Sequence, residues 1–311
     1  MDPGIAAVEE IDYEGLNHDS LAINMLAGSL AGISEHAVMF PVDSIKTRMQ
    51  VLTTSPTAVY ANMSEAFHRI SSTEGTKRLW RGVASVILGA GPAHAVYFGT
   101  YELAKDMAGG NDGGYSFVAT ASAGALATIT SDALMNPFDV VKQRMQVHGS
   151  TFHSVPETFK AVYRNEGLGA FYISYPTTLT MTVPFTAVQF STYEFIKDKL
   201  NPSGVYSPLT HVTAGGIAGA VAAAVTTPLD VCKTLLQTRG SSDDAAIRQA
   251  RGMGDAFRII WQRQGLKGFA RGMTPRILTN VPSNALCWLS YEGFRFFLKG
   301  GHNIPAKREG L

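Results

Sequence analysis

The sequence predicts an all-α membrane protein in which six transmembrane helices form three pseudo-threefold repeats, each with a short amphipathic helix. A ten-residue pattern recurs three times at intervals of ~90 residues, and such a period indicates copies of one supersecondary unit. Long apolar stretches flank each copy, and of the 311 residues only 16% are charged while 45% are hydrophobic. The mean hydropathy of +0.05 is low for a membrane protein and favours a lumen lined by polar side chains.

The recurring pattern is Pro-x-Asp-x-x-Lys, followed by Gln four positions after the lysine. Residues three or four apart share one face of a helix, so the three polar side chains of each copy would point the same way. The proline lies just before that face, where it would kink a long helix. The copies begin at Pro41, Pro137 and Pro228, and their polar residues are Asp43, Lys46 and Gln50, then Asp139, Lys142 and Gln146, then Asp230, Lys233 and Gln237.

The N-terminal segment has a charge pattern opposite to that of a transit peptide. Residues 1–20 contain six acidic residues and no Lys or Arg, and no apolar signal core precedes the first long apolar stretch. Targeting is therefore expected to be internal. Two cysteines, Cys232 and Cys287, indicate no disulfide framework.

Five segments are predicted along the chain. In repeat 1 we expect a span from residue 21 through Pro41 to about Gln50, an amphipathic helix at Met63–Thr73 and a second span to about Lys105. Gly28 and Gly32 are spaced so that transmembrane helices can approach closely. The segments are an acidic flexible tail (1–20), repeat 1 (21–108), repeat 2 (115–201), repeat 3 (208–299) and a flexible C-terminal tail (300–311).

Repeats 2 and 3 are predicted to follow the same order of span, short helix and span. Glycine-rich and proline-containing breaks at 109–114 and 201–204 separate the repeats. The predicted spans run from about Ser116 to Val147, Ser174 to Leu200, Pro208 to Thr238 and Gly272 to Lys299, with short helices at 155–165 and 253–264.

A second part of each repeat carries a resemblance to a known family. Glu74-Gly75 follows the first copy of the pattern, and Trp80-Arg81-Gly82 follows in turn. With the three proline motifs, this resembles the mitochondrial carrier family over nearly the whole chain. Repeats 2 and 3 depart from it, with Glu166-Gly167 before Tyr172-Ile173-Ser174 and Gln264-Gly265 before Ala270-Arg271-Gly272.

Ion pairs between neighbouring helices can close a pore, and two sets of charges suit this role. On the matrix side the expected pairs are Asp43–Lys142, Asp139–Lys233 and Asp230–Lys46, and the resemblance implies that Gln50, Gln146 and Gln237 brace them from beneath. A second motif, Tyr-Glu-x-x-Lys/Arg, ends the even-numbered spans. It predicts a cytoplasmic gate of Lys105–Glu194, Lys197–Glu292 and Arg295–Glu102.

Candidate substrate contacts follow from positions relative to the gates. Two turns before the gate aspartates lie His36 and Asp132, and one turn before lie Met39 and Met135. The even spans contribute His94, with further positions that match the midplane contact points of the family: Gly89, Met181, Thr182 and Asn280. No Arg or Lys lies at the midplane positions, although Arg276 lies one turn nearer the matrix gate.

Imidazole, carboxylate and thioether groups are metal ligands, and the predicted metal contacts are His36, His94, Asp132 and Met181. The stretches 34–41 and 89–95 resemble the mitoferrin subfamily of mitochondrial iron importers, fungal type. Met181-Thr182 departs from the Met-Asn usual there. The resemblance implies Fe²⁺ as substrate. Transport of S-adenosylmethionine, of another small organic cation, or of another transition metal such as copper remains an alternative. His18, His68, His148, His153 and His302 are expected at the surface.

The predicted protein is not an enzyme and needs no cofactor, since no nucleophile–base set or phosphate loop is present. It would reside in the mitochondrial inner membrane with both termini in the intermembrane space, because the long basic loops should face the matrix. Expected partners are the iron ion and inner-membrane lipid, cardiolipin at the matrix side. No nucleic acid partner is expected, and the chain should be a monomer.

Overall fold

The computed structural model of this protein describes residues 18–52, 60–107, 117–200 and 208–279, together with positions 282, 283, 286, 290 and 294. All regular secondary structure within these residues is helical, which confirms the all-α class. The chain divides into two compact units, one of residues 1–35 and 285–311 and the other of residues 36–284. In the first unit the described part is mainly the beginning of helix α1. Every site described below lies in the second unit.

Short helices separate the long helices within each repeat. Single 3₁₀ turns occur at Thr76–Trp80 and Arg239–Ser241, and residues 273–279 are helical again. In order, the helices are α1 His18–Gln50, α2 Met63–Thr73, α3 Val83–Met107, α4 Phe117–Gln146, α5 Val155–Glu166, α6 Gly169–Tyr172, α7 Tyr175–Leu200, α8 Pro208–Thr238, α9 Ala245–Arg248, α10 Met253–Gln264 and α11 Leu266–Phe269.

The three motif prolines lie inside long helices. Pro41, Pro137 and Pro228 interrupt α1, α4 and α8, which continue for about two more turns and end at or next to the motif glutamine. Two stretches in the described part of the chain are long and apolar enough to cross a membrane, Thr76–Tyr101 and Val212–Ser241. The aspartate, lysine and glutamine of each motif therefore lie on the same long helix as the proline that precedes them.

A small hydrophobic core in each repeat fixes its short helix against a long one. In repeat 1 the side chain of Asn62 caps the N-terminus of α2, whose Ala66 and Ile70 are buried against Ile45 and Leu79. In repeat 2, Ser154 caps α5 in the same way. Corresponding clusters surround Phe171 in repeat 2 and Leu235 in repeat 3.

The four-residue helices α6, α9 and α11 are absent from the sequence prediction. Each is barely one turn long, so no apolar periodicity can reveal it. The predicted sixth span is described only as far as residue 279. The tails and the break at 109–114 lie outside the described residues.

Candidate functional site

A cyclic set of three ion pairs joins the ends of α1, α4 and α8, and we call it the ion-pair ring. Each pair links the aspartate of one repeat to the lysine of another, and the side chains are half-buried or buried. The N–O distances are 2.5 Å for Lys142 to Asp43, 3.3 Å for Lys233 to Asp139 and 2.8 Å for Lys46 to Asp230. Three helices from three repeats are thus tied together by one set of ion pairs.

The three glutamines behind the ring are all buried but are bonded differently. Gln50 donates to Oδ2 of Asp230 at 2.7 Å and accepts from the Thr234 hydroxyl at 2.9 Å. Gln146 accepts from the Thr47 hydroxyl at 2.8 Å, whereas neither polar side-chain atom of Gln237 has a hydrogen-bond partner among the described residues. The expected bracing thus applies to Gln50, and the structure corrects it for the other two.

The hydroxyl side chains explain this inequality. Thr47 and Thr234 stand six residues after the motif proline in repeats 1 and 3, and each anchors the glutamine of a neighbouring repeat. The same position in repeat 2 is Gln143, whose Oε1 is itself without a hydrogen-bond partner among the described residues. Gln237 therefore lacks the hydroxyl that anchors its counterparts.

Buried arginines bind repeat 1 to repeat 2 and repeat 2 to repeat 3. Arg48 donates to the backbone oxygen of Gln146 at 2.9 Å and forms a two-pronged pair with Glu74 at 2.5 and 2.9 Å. Arg144 repeats this one unit later, with the backbone oxygen of Gln237 at 2.6 Å and Glu166 at 2.5 and 2.9 Å. Two-pronged guanidinium–carboxylate pairs are geometrically specific, so these contacts fix the orientation of adjoining repeats.

The junction between repeats 3 and 1 is apolar where the other two are charged. In repeat 3, Leu235 and Gln264 occupy the positions that Arg48 and Glu74 occupy in repeat 1. Leu52 packs in the same buried cluster as Leu235, and the residue matching Leu52 in repeat 2 is His148. The arginine and the histidine of the charged junction are thus both replaced by leucine at this junction.

Glu74 lies at the centre of the charged junction between repeats 1 and 2. It accepts from Arg48, pairs with Arg78 at 3.0 Å and contacts Nδ1 of His148 at 2.9 Å. Burial alone would raise the pKa of Glu74, but the hydrogen bond and charge of Arg48, with Arg78 and His148, outweigh it and hold the pKa below its ordinary 4.5. His148, expected as an isolated surface residue, is half-buried in this cluster.

Arg276 adds a fourth cation to the ring. Its guanidinium lies 3.3 Å from Oδ2 of Asp230, donates to the hydroxyl of Thr226 at 2.9 Å and approaches Sδ of Met181 at 3.8 Å. The Asp230 carboxylate is thereby shared with Lys46. The sulfur of Met181 thus lies beside a positive charge in this arrangement, and its role as a metal contact stays a prediction.

The candidate metal contacts do not converge. His36 and His94 are exposed, and Asp132 is half-buried without an ion pair among the described residues. Within the described part of the chain, no three His, Cys, Asp or Glu side chains come close enough to hold a metal ion. His36, His94 and Asp132 lie on three different helices, α1, α3 and α4, and their role as metal contacts stays a prediction.

The remaining candidate contacts serve packing or local bonding. A Cβ on Gly89 would lie 2.8 Å from Sδ of Met135 and 2.7 Å from Cγ of Phe138, so Gly89 marks a close crossing of α3 and α4. Thr182 donates to the backbone oxygen of Thr178 at 3.0 Å. Met39 is half-buried on α1. Asn280 lies outside the described residues.

The predicted cytoplasmic gate is described only in part. Lys197 pairs with Glu194 at 3.0 Å, three residues earlier on the same helix, where the prediction had Lys197 with Glu292 and Glu194 with Lys105. The interhelical pairs of this gate stay a prediction. A pair within one helix needs no neighbouring helix to approach and loses little side-chain freedom. The side chains of Glu102, Lys105, Glu292 and Arg295 lie outside the described residues.

Sequence reasoning missed the hydroxyls and arginines that surround the ring. Thr47, Thr234, Arg48 and Arg144 stand one or two positions beyond the motif lysine, on the same helical turn. Comparing the three repeats at every position, and not only at the motif, would have shown Thr–Gln–Thr and Arg–Arg–Leu. Both patterns match the bonding that the structure displays.

Comparison with known proteins agrees with the repeat. The family model described as mitochondrial carrier protein matches residues 17–112, 113–204 and 204–302. The chain is 47% identical to human mitoferrin-1 over 92% of its own length and 87% of that protein. It is also 48% identical to an uncharacterized mitochondrial carrier of Schizosaccharomyces pombe (92% of this chain, 94% of that one) and 48% identical to the mitochondrial RNA-splicing protein MRS4 of Saccharomyces cerevisiae (94% and 97%).

Family motifs, three repeats and close relatives across nine-tenths of the chain lead to one assignment. The carriers of this family are transporters of the mitochondrial inner membrane, and the ion-pair ring ties together all three of their repeats in this chain. This protein belongs to the mitochondrial carrier family.

Proposed function

We propose that this carrier imports Fe²⁺ into the mitochondrial matrix by alternating access. The observation that carries the proposal is the ion-pair ring, which closes one end of α1, α4 and α8 with charges that a passing ion can separate. Iron as the substrate is supported by the identity to human mitoferrin-1 and by the mitoferrin-like stretches 34–41 and 89–95. The names of these relatives indicate transport in some cases and RNA splicing in another, and a ring that must open and close favours transport.

The free energy that the ion-pair ring contributes is of the size that a two-state conformational switch requires. Partly exposed ion pairs contribute about 1 kcal/mol or less each, so the three pairs and the Arg276 contact together contribute a few kcal/mol. Inverting a two-state population from 1:99 to 99:1 takes about 5.5 kcal/mol. A bound substrate can supply a difference of this size, so the ring is strong enough to close the path and weak enough to reopen.

The proposed state is open towards the intermembrane space. The ion-pair ring is intact, and Lys197 pairs with Glu194 within its own helix. This proposal includes six spans, short helices on the matrix side, both termini in the intermembrane space and a monomeric carrier. Matrix-side cardiolipin is the proposed lipid partner.

The ion would meet ligands one after another along the lumen. His36 and His94 are exposed, and Asp132 offers a carboxylate without an ion-pair partner among the described residues. Weak, incomplete coordination suits conduction, because the ion must leave each position again. Past Asp132, the shared carboxylate of Asp230 lies behind Arg276, so the guanidinium must move before a cation can reach it.

Substrate uptake is the direct test. Purified protein in liposomes should take up radiolabelled Fe²⁺, kept reduced with ascorbate, in a saturable manner and faster than Cu⁺ or S-adenosylmethionine. Uptake of S-adenosylmethionine without iron uptake would replace the iron proposal with the organic-cation one. Preferred uptake of Cu⁺ would change the metal and keep the mechanism.

The ring assignment has its own test. Asp139→Asn should abolish uptake because Lys233 loses its partner, and the exchanged pair Asp139→Lys with Lys233→Asp should recover part of the rate. Asp243→Asn, at an exposed acid outside the ring, is the matched control and should transport normally. Normal uptake by Asp139→Asn would rule out the ring as a gate.

A further inference from the structure

A cavity of about 570 Å³ lies where repeat 2 meets repeat 3, near the ion-pair ring. One wall is the end of α4 with the loop to α5, and the other is the segment that follows α8. The volume lies in the range of small-molecule sites. Because both repeats contribute, a molecule bound here would bridge them.

The lining of this cavity has an excess of positive charge. It includes the guanidinium groups of Arg144, Arg239 and Arg248, and Glu166 is the one carboxylate among the lining residues. Arg144 binds both oxygens of Glu166, at 2.5 and 2.9 Å, and so neutralises most of its charge. Arg239 lies farther from it, at 3.9 Å, and Arg248 is exposed. Two guanidinium charges are therefore left with little compensation.

Two donors in the lining residues are buried without a hydrogen-bond partner among the described residues. They are Nε of Arg239 and the hydroxyl of Ser150. A buried donor without an acceptor costs about 1–3 kcal/mol, so such groups in a native fold call for an explanation. Both atoms are enclosed by protein in this arrangement, so a rotation of each side chain would bring it to the acceptor oxygens of an anion in the cavity.

Gly240 keeps the cavity open beside the charged pair. A Cβ at this position would collide with Oε1 of Glu166 and Nη1 of Arg144. Any larger residue would have to displace that pair.

At the corresponding junction between repeats 1 and 2, two arginines are bonded to acceptors of the protein itself. Arg78 donates to the backbone oxygen of Ser150 at 2.7 Å and pairs with Glu74 at 3.0 Å. Arg81 donates to the same Ser150 oxygen at 2.9 Å and contacts His153. Each of these guanidinium groups thus has at least two protein partners at 3.0 Å or less, whereas Arg239 has the backbone oxygen of Ala250 at 2.5 Å and Glu166 at 3.9 Å, and Arg248 is exposed.

We propose that the cavity between repeats 2 and 3 binds a small, multiply charged anion with phosphate or carboxylate groups. Charge-assisted hydrogen bonds from Arg239 and Arg248 hold it, and Ser150 donates from the opposite wall. A ligand that needs both walls in place favours the arrangement with the ring closed, by mass action. This site is independent of which cation the carrier transports.

Binding of inorganic pyrophosphate tests the proposal. Full-length protein in neutral detergent should bind it saturably by calorimetry, with a rise in unfolding temperature that sodium chloride of equal ionic strength does not produce. Arg248→Gln and Arg239→Gln should each weaken binding by about tenfold, the effect of one lost charge-assisted contact. Ser150→Ala should weaken it by a smaller factor.

Arg69→Gln removes an exposed arginine of α2 outside the cavity and should bind like the unmodified protein. Arg239 also donates to the backbone of Ala250, so Arg248→Gln decides the matter if the Arg239 variant misfolds. The proposal is overturned if pyrophosphate does not bind, or if Arg248→Gln and Ser150→Ala bind it unchanged. Arginine-dependent binding of cardiolipin in nanodiscs, without pyrophosphate binding, would overturn it in favour of a lipid headgroup.

Discussion

Two arginines that are almost fully buried show how single residues hold this carrier together. The side chain of Arg48 is 1% exposed and that of Arg144 is 3% exposed. A buried guanidinium is stable only when a carboxylate and further acceptors replace its lost hydration. Glu74, Glu166 and two backbone carbonyl groups at the ends of neighbouring helices do so. Because each buried guanidinium needs acceptors from the neighbouring repeat, its burial fixes the orientation of the two repeats.

Glu74 should make stability depend on pH in the acid range. Its pKa in the folded protein is lowered, so its contribution is present above the ordinary value of 4.5 and is lost as pH falls through the folded value. Glu74→Gln should destabilise the protein by about 3 kcal/mol at neutral pH, because Arg48 stays buried without its partner. The variant's unfolding temperature should also fall less steeply between about pH 5 and pH 3, the range around and below that ordinary value. Asp243→Asn is the control; a steep fall retained in Glu74→Gln would contradict the assignment.

His36 and His94 should each matter for the passage of iron. Both are exposed on helices of the proposed lumen, and neither belongs to the ion-pair ring. His36→Ala and His94→Ala should each lower Fe²⁺ uptake by about tenfold, the effect of one lost ligand contact of about 1.4 kcal/mol, while folding is retained. His148 is unsuitable as a control because it contacts Glu74, so His68→Ala on α2 takes that place. Unchanged uptake by both lumen variants would favour an organic cation as substrate.

At the scale of elements, the crossing of α3 and α4 depends on small residues and short hydrogen bonds. Ser85 donates to the backbone oxygen of Phe138 at 2.7 Å, and Ser131 donates to that of Ala93 at 3.0 Å. Gly89 lies between these two bonds and lets Met135 and Phe138 approach the backbone of α3. Transmembrane helices pack by such close approach, since lipid is as apolar as their side chains.

Gly89→Ala should destabilise the protein by about 1–3 kcal/mol, because the added methyl group overpacks the crossing. Gly91→Ala, two residues later on the same helix, is the matched control, since nothing lies within 4 Å of its Cβ position. Thermal unfolding in detergent measures both variants. Equal unfolding temperatures would show that Gly89 is not a packing residue and would return it to the candidate substrate contacts.

At the scale of the repeats, threefold symmetry of the motif conceals three unequal junctions. Repeats 1 and 2 are joined by Arg48 and Glu74, and repeats 2 and 3 by Arg144 and Glu166. Repeats 3 and 1 instead share a buried apolar cluster that includes Leu52 and Leu235, with Arg276 added to the Asp230 pair. Charged links impose orientation, whereas apolar contacts permit sliding, so this third junction is the expected place for helices to shift when the ring opens.

The proposed topology predicts which loops a protease can reach. In mitochondria with an opened outer membrane, the acidic tail and the segment 109–114 should be cleaved, because both would face the intermembrane space. The basic loop at 240–251 should stay protected until the inner membrane is dissolved. Cleavage of that loop in intact inner membranes, with protection of the tail, would reverse the orientation.

The sequence by itself determined the repeat, the helices and the six charged residues of the ring. A period of ~90 residues with the same order of Pro, Asp, Lys and Gln places one aspartate and one lysine on each of three equivalent helices. Helix bounds such as Met63–Thr73 follow from apolar periodicity and the adjacent cap, which are local properties. These features depend only on spacing along the chain.

Tertiary structure alone decided how equivalent residues differ in their surroundings. Gln50 and Gln237 occupy the same motif position, yet only Gln50 meets a hydroxyl and a carboxylate. Gly89 proved to be a packing position because Met135 and Phe138 of another helix reach it. Burial and hydrogen bonding depend on residues distant in sequence, and a motif specifies a side chain without specifying what lies opposite it.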